Sequence, residues 1–173
     1  MDHDSDQHSL NRIWSRPFRK KSEWVEEATA LCLAHCLFDG IAERSVQHIV
    51  SHMHPRNYHR NEVIFDMGHA GASAMLILSG EVVIMADTVE LTRLHQGDIF
   101  GEVALATTLP RTAQAIAKAD SRLVFFLRSD LDEWIERTPR EASRFLINLS
   151  TMLAERLMQR NLEVMDAAIP DHS

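Results

Sequence analysis

Cysteine is scarce in this 173-residue chain: Cys32 and Cys36, four residues apart in an apolar stretch, are the two present. On a helix they would share one face and point in parallel, which does not suit a bridge, so no disulfide is expected and a reducing, cytoplasmic setting fits. No second cysteine pair completes a four-ligand metal site with Cys32-x-x-His35-Cys36, which therefore reads as core packing of a first helix. Long apolar runs are missing too. None approaches the ~20 residues of a membrane span, and the opening Met1-Asp-His-Asp-Ser-Asp is acidic where a secretory signal is basic and then apolar. Cations are outnumbered, 18 Lys and Arg against 25 Asp and Glu, for a formal charge of −7. That field repels a phosphate backbone, and with no strong basic surface to outweigh it nucleic acid is not an expected partner. Gly-x-Ser-x-Gly, a Walker phosphate loop and paired catalytic carboxylates are all absent. No catalytic residue, and so no enzymatic activity, is expected.

What is present suits one domain with short extensions. Residues 1–21 read as a tail, with Arg12, Arg16, Arg19, Lys20 and Lys21 around Trp14 and Phe18. Ser22 is placed to cap a helical extension over 22–36, and Gly40 separates it from a short helix over 41–53 that Pro55 stops. From Glu62 the period changes. Glu62–Phe65, Met75–Leu78, Glu81–Met85, Glu90–Leu94, Ala113–Ala117 and Leu123–Leu127 are short apolar or alternating runs punctuated by glycines, which predict strands. Ser79-Gly80 between two of them is a tight-hairpin signal. Ser129 then caps a hinge helix ended by Thr138-Pro139, and Pro139 opens a long last helix. The fold class is α+β, an antiparallel β-roll or jelly-roll barrel with N-terminal helices, a C-terminal hinge helix and a long helix. The domain proper is set at 37–165, with 166–173 a C-terminal tail.

The segment Gly97–Ala113 is longer than a plain hairpin needs. A strand ending at Phe100-Gly101 and a helical turn over Glu102-Val-Ala-Leu-Ala would present backbone N–H groups that favour an anion, and Gly101 permits close approach. Arg111 can grip two phosphate oxygens in fork geometry, while Glu102 accepts hydrogen bonds from sugar hydroxyls. An acid and an arginine flanking one short helix suit a ligand that carries both groups.

Phe100-Gly-Glu-Val-Ala-Leu-Ala-Thr-Thr-Leu-Pro-Arg-Thr-Ala113, preceded by Ser79-Gly80-Glu-Val and Gly97-Asp, resembles the phosphate-binding cassette of the cyclic nucleotide-binding domain family. The resemblance runs from about Leu37 to about residue 160. It implies that Glu102 accepts the ribose 2′-hydroxyl, that Arg111 pairs with the cyclic phosphate, and that backbone N–H groups near Val103, Ala104 and Ala113 complete the cradle. Phe100 and Gly101 belong to the same cassette. Thr112 resembles a feature that gives syn guanine an extra hydrogen bond, although members accepting cAMP carry threonine there too, so cAMP and cGMP both stay open. By position, Leu149, Met152, Leu153 and Arg156 are the candidates to cap the base.

The resulting expectation is a cyclic nucleotide receptor without metal or cofactor, whose last helix rearranges to regulate a separate effector protein. The 16 residues after Leu157 are too few for a helix-turn-helix domain. Two alternatives accompany it. One is a ligand-free module, with Glu102 and Arg111 in a structural salt bridge and a homodimer seam of Leu146, Leu149, Leu153 and Leu157 on the C-terminal helix. The other is a cupin-like metalloenzyme using His52, His54 and His59, although His48-x-x-x-His52-x-His54 reads as a solvated junction and metal is not expected.

Overall fold

The computed structural model describes residues 21–168. Two helices enter the fold, α1 (Lys21–Leu33) and α2 (Glu43–His52), with a single 3₁₀ turn at Cys36–Phe38 between them. Eight strands follow: β1 (His54–Tyr58), β2 (Val63–Phe65), β3 (Ser73–Ser79), β4 (Val82–Ala86), β5 (Val89–Leu94), β6 (Ile99–Phe100), β7 (Gln114–Ala117) and β8 (Ser121–Leu127). The short α3 (Val103–Ala106) sits between β6 and β7, and α4 (Arg128–Arg137) and α5 (Pro139–Ala168) close the chain. The strands form two four-stranded sheets of antiparallel pairs, ordered β1-β8-β3-β6 and β2-β7-β4-β5. This is the expected roll with helices at both ends. Residues 1–20 of the basic tail lie outside the described residues, and Lys21, set in the tail, belongs to α1.

The pleat explains why β3 and β8 read as nearly continuous apolar runs. Successive side chains face opposite ways, and both faces are covered. Ala74, Leu76, Leu78, Val124 and Phe126 pack toward α1, α2, α4 and α5 in one cluster with Trp24, Val46, Trp134 and Phe145. Met75, Ile77 and Leu123 join Val82, Phe100, Ala115 and Ala117 in a second cluster inside the roll.

Four local expectations are corrected. The first helix ends at Leu33, so Cys36 lies beyond it in the 3₁₀ turn and is exposed, while Cys32 alone is buried; burial pushes its thiol up to about 12. Ser22 falls within α1 rather than ahead of it. Ser79-Gly80 joins no hairpin, because β3 and β4 belong to different sheets. Gly80 turns that corner at φ +101, where a Cβ would lie 2.6 Å from the Ser121 Cα; the paired turn is at Asp87, between Ala86 and Val89. Finally, Leu127 precedes α4, and the cap comes from Asp130, whose Oδ2 accepts the Leu127 N–H at 3.0 Å. A carboxylate in the first turn fills the role given to Ser129.

His54–Tyr58 is a strand that alternation does not reveal. It is an edge strand paired with β8 and largely exposed, which is where a proline and polar residues are tolerated. Hence the histidine-rich stretch is part helix and part strand. His54 Nε2 lies 4.0 Å from Asp130 Oδ2, and among the described residues no three His, Cys, Asp or Glu side chains converge on a metal position.

Candidate functional site

The open side of the roll contains a cavity of about 860 Å³ bounded by β-strand residues Phe65, Ile84 and Leu94, by Phe100–Ala104, by Leu109–Ala113, and by one face of α5. All eight residues expected from the 100–113 segment are on its wall: Phe100, Gly101, Glu102, Val103, Ala104, Arg111, Thr112 and Ala113. The volume lies within the range of small-molecule sites.

Two glycines let the wall close up. Gly101 has φ +72, and a Cβ there would stand 2.7 Å from Arg111 Nη1 and 2.8 Å from Met75 Cε. At Gly71 a Cβ would meet the Ala104 Cβ at 2.9 Å, so the loop before β3 lies hard against α3. Positive φ and crowding both favour glycine.

Arg111 is anchored through backbone and side chain. Its N–H donates to His69 O and its carbonyl accepts from Gly68 N–H, each at 2.8 Å. Nη1 donates to Gly101 O at 3.0 Å and Nη2 to Ser73 O at 2.8 Å. The guanidinium lies 4.3 Å from the centroid of the Phe65 ring, a cation–π contact that orients its plane. Burial lowers its pKa; Glu102 opposes that shift and Arg128 adds to it. The cation is thus half-buried, held by neutral carbonyls, with no carboxylate within 4 Å among the described residues.

Glu102 is 3% exposed. Its Oε1 accepts from Arg156 Nη1 on α5, not from Arg111, so the structural pair between Glu102 and Arg111 does not form. The acid and the base face one cavity without neutralising each other. The Ala104 N–H donates to Gly101 O at 3.1 Å, the same carbonyl that Arg111 uses.

On α5 the expected cap residues part company. Met152 and Arg156 line the cavity, whereas Leu149 is 2% exposed in the helix-side core and Leu153 packs against that core. Sequence reading missed Glu155, Gln159 and Arg160, which complete the cavity face of α5. They recur with Arg156 at helical spacing, and that polar stripe was the signal available. The expected homodimer seam is also revised. Leu146, Leu149 and Leu153 face the core, while Ile147, Leu157, Met158, Leu162, Val164 and Met165 are exposed.

The family model described as "Cyclic nucleotide-binding domain" matches residues 55–138. The chain carries a cyclic nucleotide-binding domain. It is 32% identical over 133 residues to the "Cyclic AMP receptor protein" of Thermus thermophilus, covering 74% of this chain and 60% of that protein. Over 140 residues it is 26% identical to a "CRP-like cAMP-activated global transcriptional regulator" of Mycobacterium tuberculosis, covering 78% and 61%. A cyclic nucleotide-binding domain from Methylobacillus flagellatus has the same fold, with a TM-score of 0.73 at 21% identity over 87% of both chains. The domain-bearing chain spans about three fifths of these curated relatives, which are named as a receptor and a regulator. Among its described residues no helix is long and apolar enough to cross a membrane.

Proposed function

We propose that this chain is a cyclic nucleotide receptor, binding cAMP or cGMP between the 100–113 cassette and α5 without a metal or cofactor. The observation that carries the reading is the separation of charges on the cavity wall: a buried Glu102 carboxylate for a ribose hydroxyl and an Arg111 guanidinium set on carbonyls for a phosphate. Val103 and Ala113 flank these groups and Thr112 is exposed beside Arg111. Met152, Arg156, Gln159 and Arg160 stand over the space left for the base.

Binding acts on α5 because α5 supplies a wall of the cavity. A ligand that prefers one position of this helix shifts the population toward it by its differential affinity. The output passes to an effector outside the domain. A separate protein fits the exposed apolar stripe on α5, and a second copy of the chain is the simplest such partner. DNA is the other candidate effector, because one relative is named a transcriptional regulator.

The Arg156–Glu102 pair supports one competing reading, in which α5 holds the carboxylate permanently and the domain serves only as an interaction module. Calorimetric titration with cAMP and cGMP, after unfolding and refolding to strip bound nucleotide, separates the two. Micromolar binding is expected, weakened in Arg111→Ala by ~2 kcal/mol or more through loss of charge-assisted hydrogen bonds. Absence of heat with both nucleotides would establish the module instead.

A further inference from the structure

Arg128 is the first residue of α4, and its side chain turns back into the cassette. Its Nε donates to Ala104 O at 2.9 Å and its Nη2 to Gly71 O at 2.9 Å, and Nη2 also reaches the carbonyls of Ala104 and Thr107. Its backbone N–H donates to Ala72 O at 2.8 Å. One residue therefore ties together the 71–72 loop, the carbonyl end of α3 and the start of α4. The last carbonyls of a helix lack partners within it, and here a planar guanidinium supplies donors to two carbonyls at the end of the one-turn α3. An ammonium, a compact charge without the fork, cannot span the same set.

The clamp stands beside the anion position. The Arg128 charge acts on Arg111, and among the described residues neither cation has a carboxylate within 4 Å. Arg111 is bonded to Gly101 and Ser73, the residues at either end of the pieces that Arg128 holds. An anion at Arg111 offsets the mutual repulsion and draws on the same loop and helix that Arg128 grips. Beyond Arg128 lies α4, packed through Trp134 against Phe145 of α5 with ring centroids 5.5 Å apart.

We infer that Arg128 is the positioning residue that carries a change in the cassette to α4 and α5, through its bonds to the carbonyls of Gly71, Ala104 and Thr107. This rests on the receptor reading above. A purely structural role would lower stability or affinity throughout the domain; a coupling role separates the response of α3 from that of α5.

The test is hydrogen–deuterium exchange on the full chain, with and without whichever of cAMP and cGMP binds the wild type in the calorimeter. Saturating nucleotide is expected to change exchange in both α3 and α4–α5 of the wild type. In Arg128→Gln the change in α3 should persist while that in α4–α5 falls by ~3-fold or more, an effect within the range seen for coupling residues. If thermal unfolding shows that Arg128→Gln does not fold, Arg128→Lys decides, since it keeps the charge without the fork and the same loss is expected. A full α4–α5 response in the folded variant overturns the role of Arg128 and leaves the receptor intact. Failure of the wild type to bind either nucleotide overturns both, and that failure is read before any variant is made.

Discussion

Arg156 on α5 donates to the carboxylate of Glu102 at the mouth of α3, joining two residues 54 positions apart in the chain. The two ends of this pair differ: the Glu102 side chain is 4% exposed and that of Arg156 54%. The carboxylate is the group that has given up water, so it is the one that suffers when its partner is removed. Arg156→Ala is expected to lower stability by about 1–3 kcal/mol, because a buried charged acceptor loses its donor. Glu102→Gln in the Arg156→Ala background should recover part of that loss, and a denaturant-based double-mutant cycle measures the coupling. Losses of the Arg156→Ala and Glu102→Gln single variants that simply add in the double variant would show that the pair contributes nothing.

Gly101→Ala tests the close approach at the cassette. A positive φ costs an L-residue roughly 1–2 kcal/mol, and the new methyl meets the Arg111 guanidinium, which the proposed receptor function assigns to the phosphate. Both stability and nucleotide affinity should fall. Gly80→Ala is the control, since its Cβ strikes the Ser121 backbone at the corner between β3 and β4, away from the cavity wall. It should lose stability with affinity unchanged in the folded fraction, as read by thermal unfolding and calorimetry together.

A pH dependence follows from His35. Its Nδ1 accepts the Leu37 N–H at 3.3 Å and so caps the 3₁₀ turn. Burial, and then Arg156, lower its pKa from the ordinary 6.5, against the opposing pull of Asp98, Glu102 and Asp39. Between the lowered value and 6.5 the unfolded chain binds the proton and the folded one does not, so stability declines as pH falls through that window. His35→Gln should flatten this decline. Urea unfolding of both proteins between about pH 7.5 and about pH 5.5 reads the difference; identical slopes would remove His35 as the cause.

The apolar stripe of α5 yields a prediction about association. Ile147, Ala154, Met158 and Met165 recur at seven- and four-residue steps, with Leu162 beside them, all exposed. That spacing suits a two-helix seam. The chain is expected to sediment as a dimer at high concentration, and Met158→Glu with Leu162→Glu to hold it as a monomer. Neither residue is on the cavity wall, so nucleotide affinity of the variant monomer should show whether association and binding are separable.

Much of this was legible in the chain order. Strands buried on both faces, such as β3 and β8, announced themselves by apolar runs, and the acid and arginine of the cassette stood at a spacing that chemistry could interpret. The edge strand His54–Tyr58 escaped because its side chains are mostly solvated, and nothing in Ser79-Gly80 tells a hairpin from a corner between sheets. The partners of Glu102 and Arg128 were hidden for another reason. An arginine that bonds to carbonyls leaves no mark on the sequence of the segment it holds, and the pairing of Glu102 with Arg156 rather than Arg111 depends on where α5 crosses the roll.

The same turns of α5 face two ways. Glu155, Arg156, Gln159 and Arg160 border the cavity, while Leu157, Met158 and Leu162 point into solvent. A helix cannot move one side without the other, so whatever covers the apolar side and prefers the nucleotide-bound position must raise nucleotide affinity by the factor by which nucleotide raises its own. If the chain acts as the proposed receptor, the affinity of the isolated chain is a starting value, and the concentration of nucleotide that triggers a response is set jointly with the abundance of the partner.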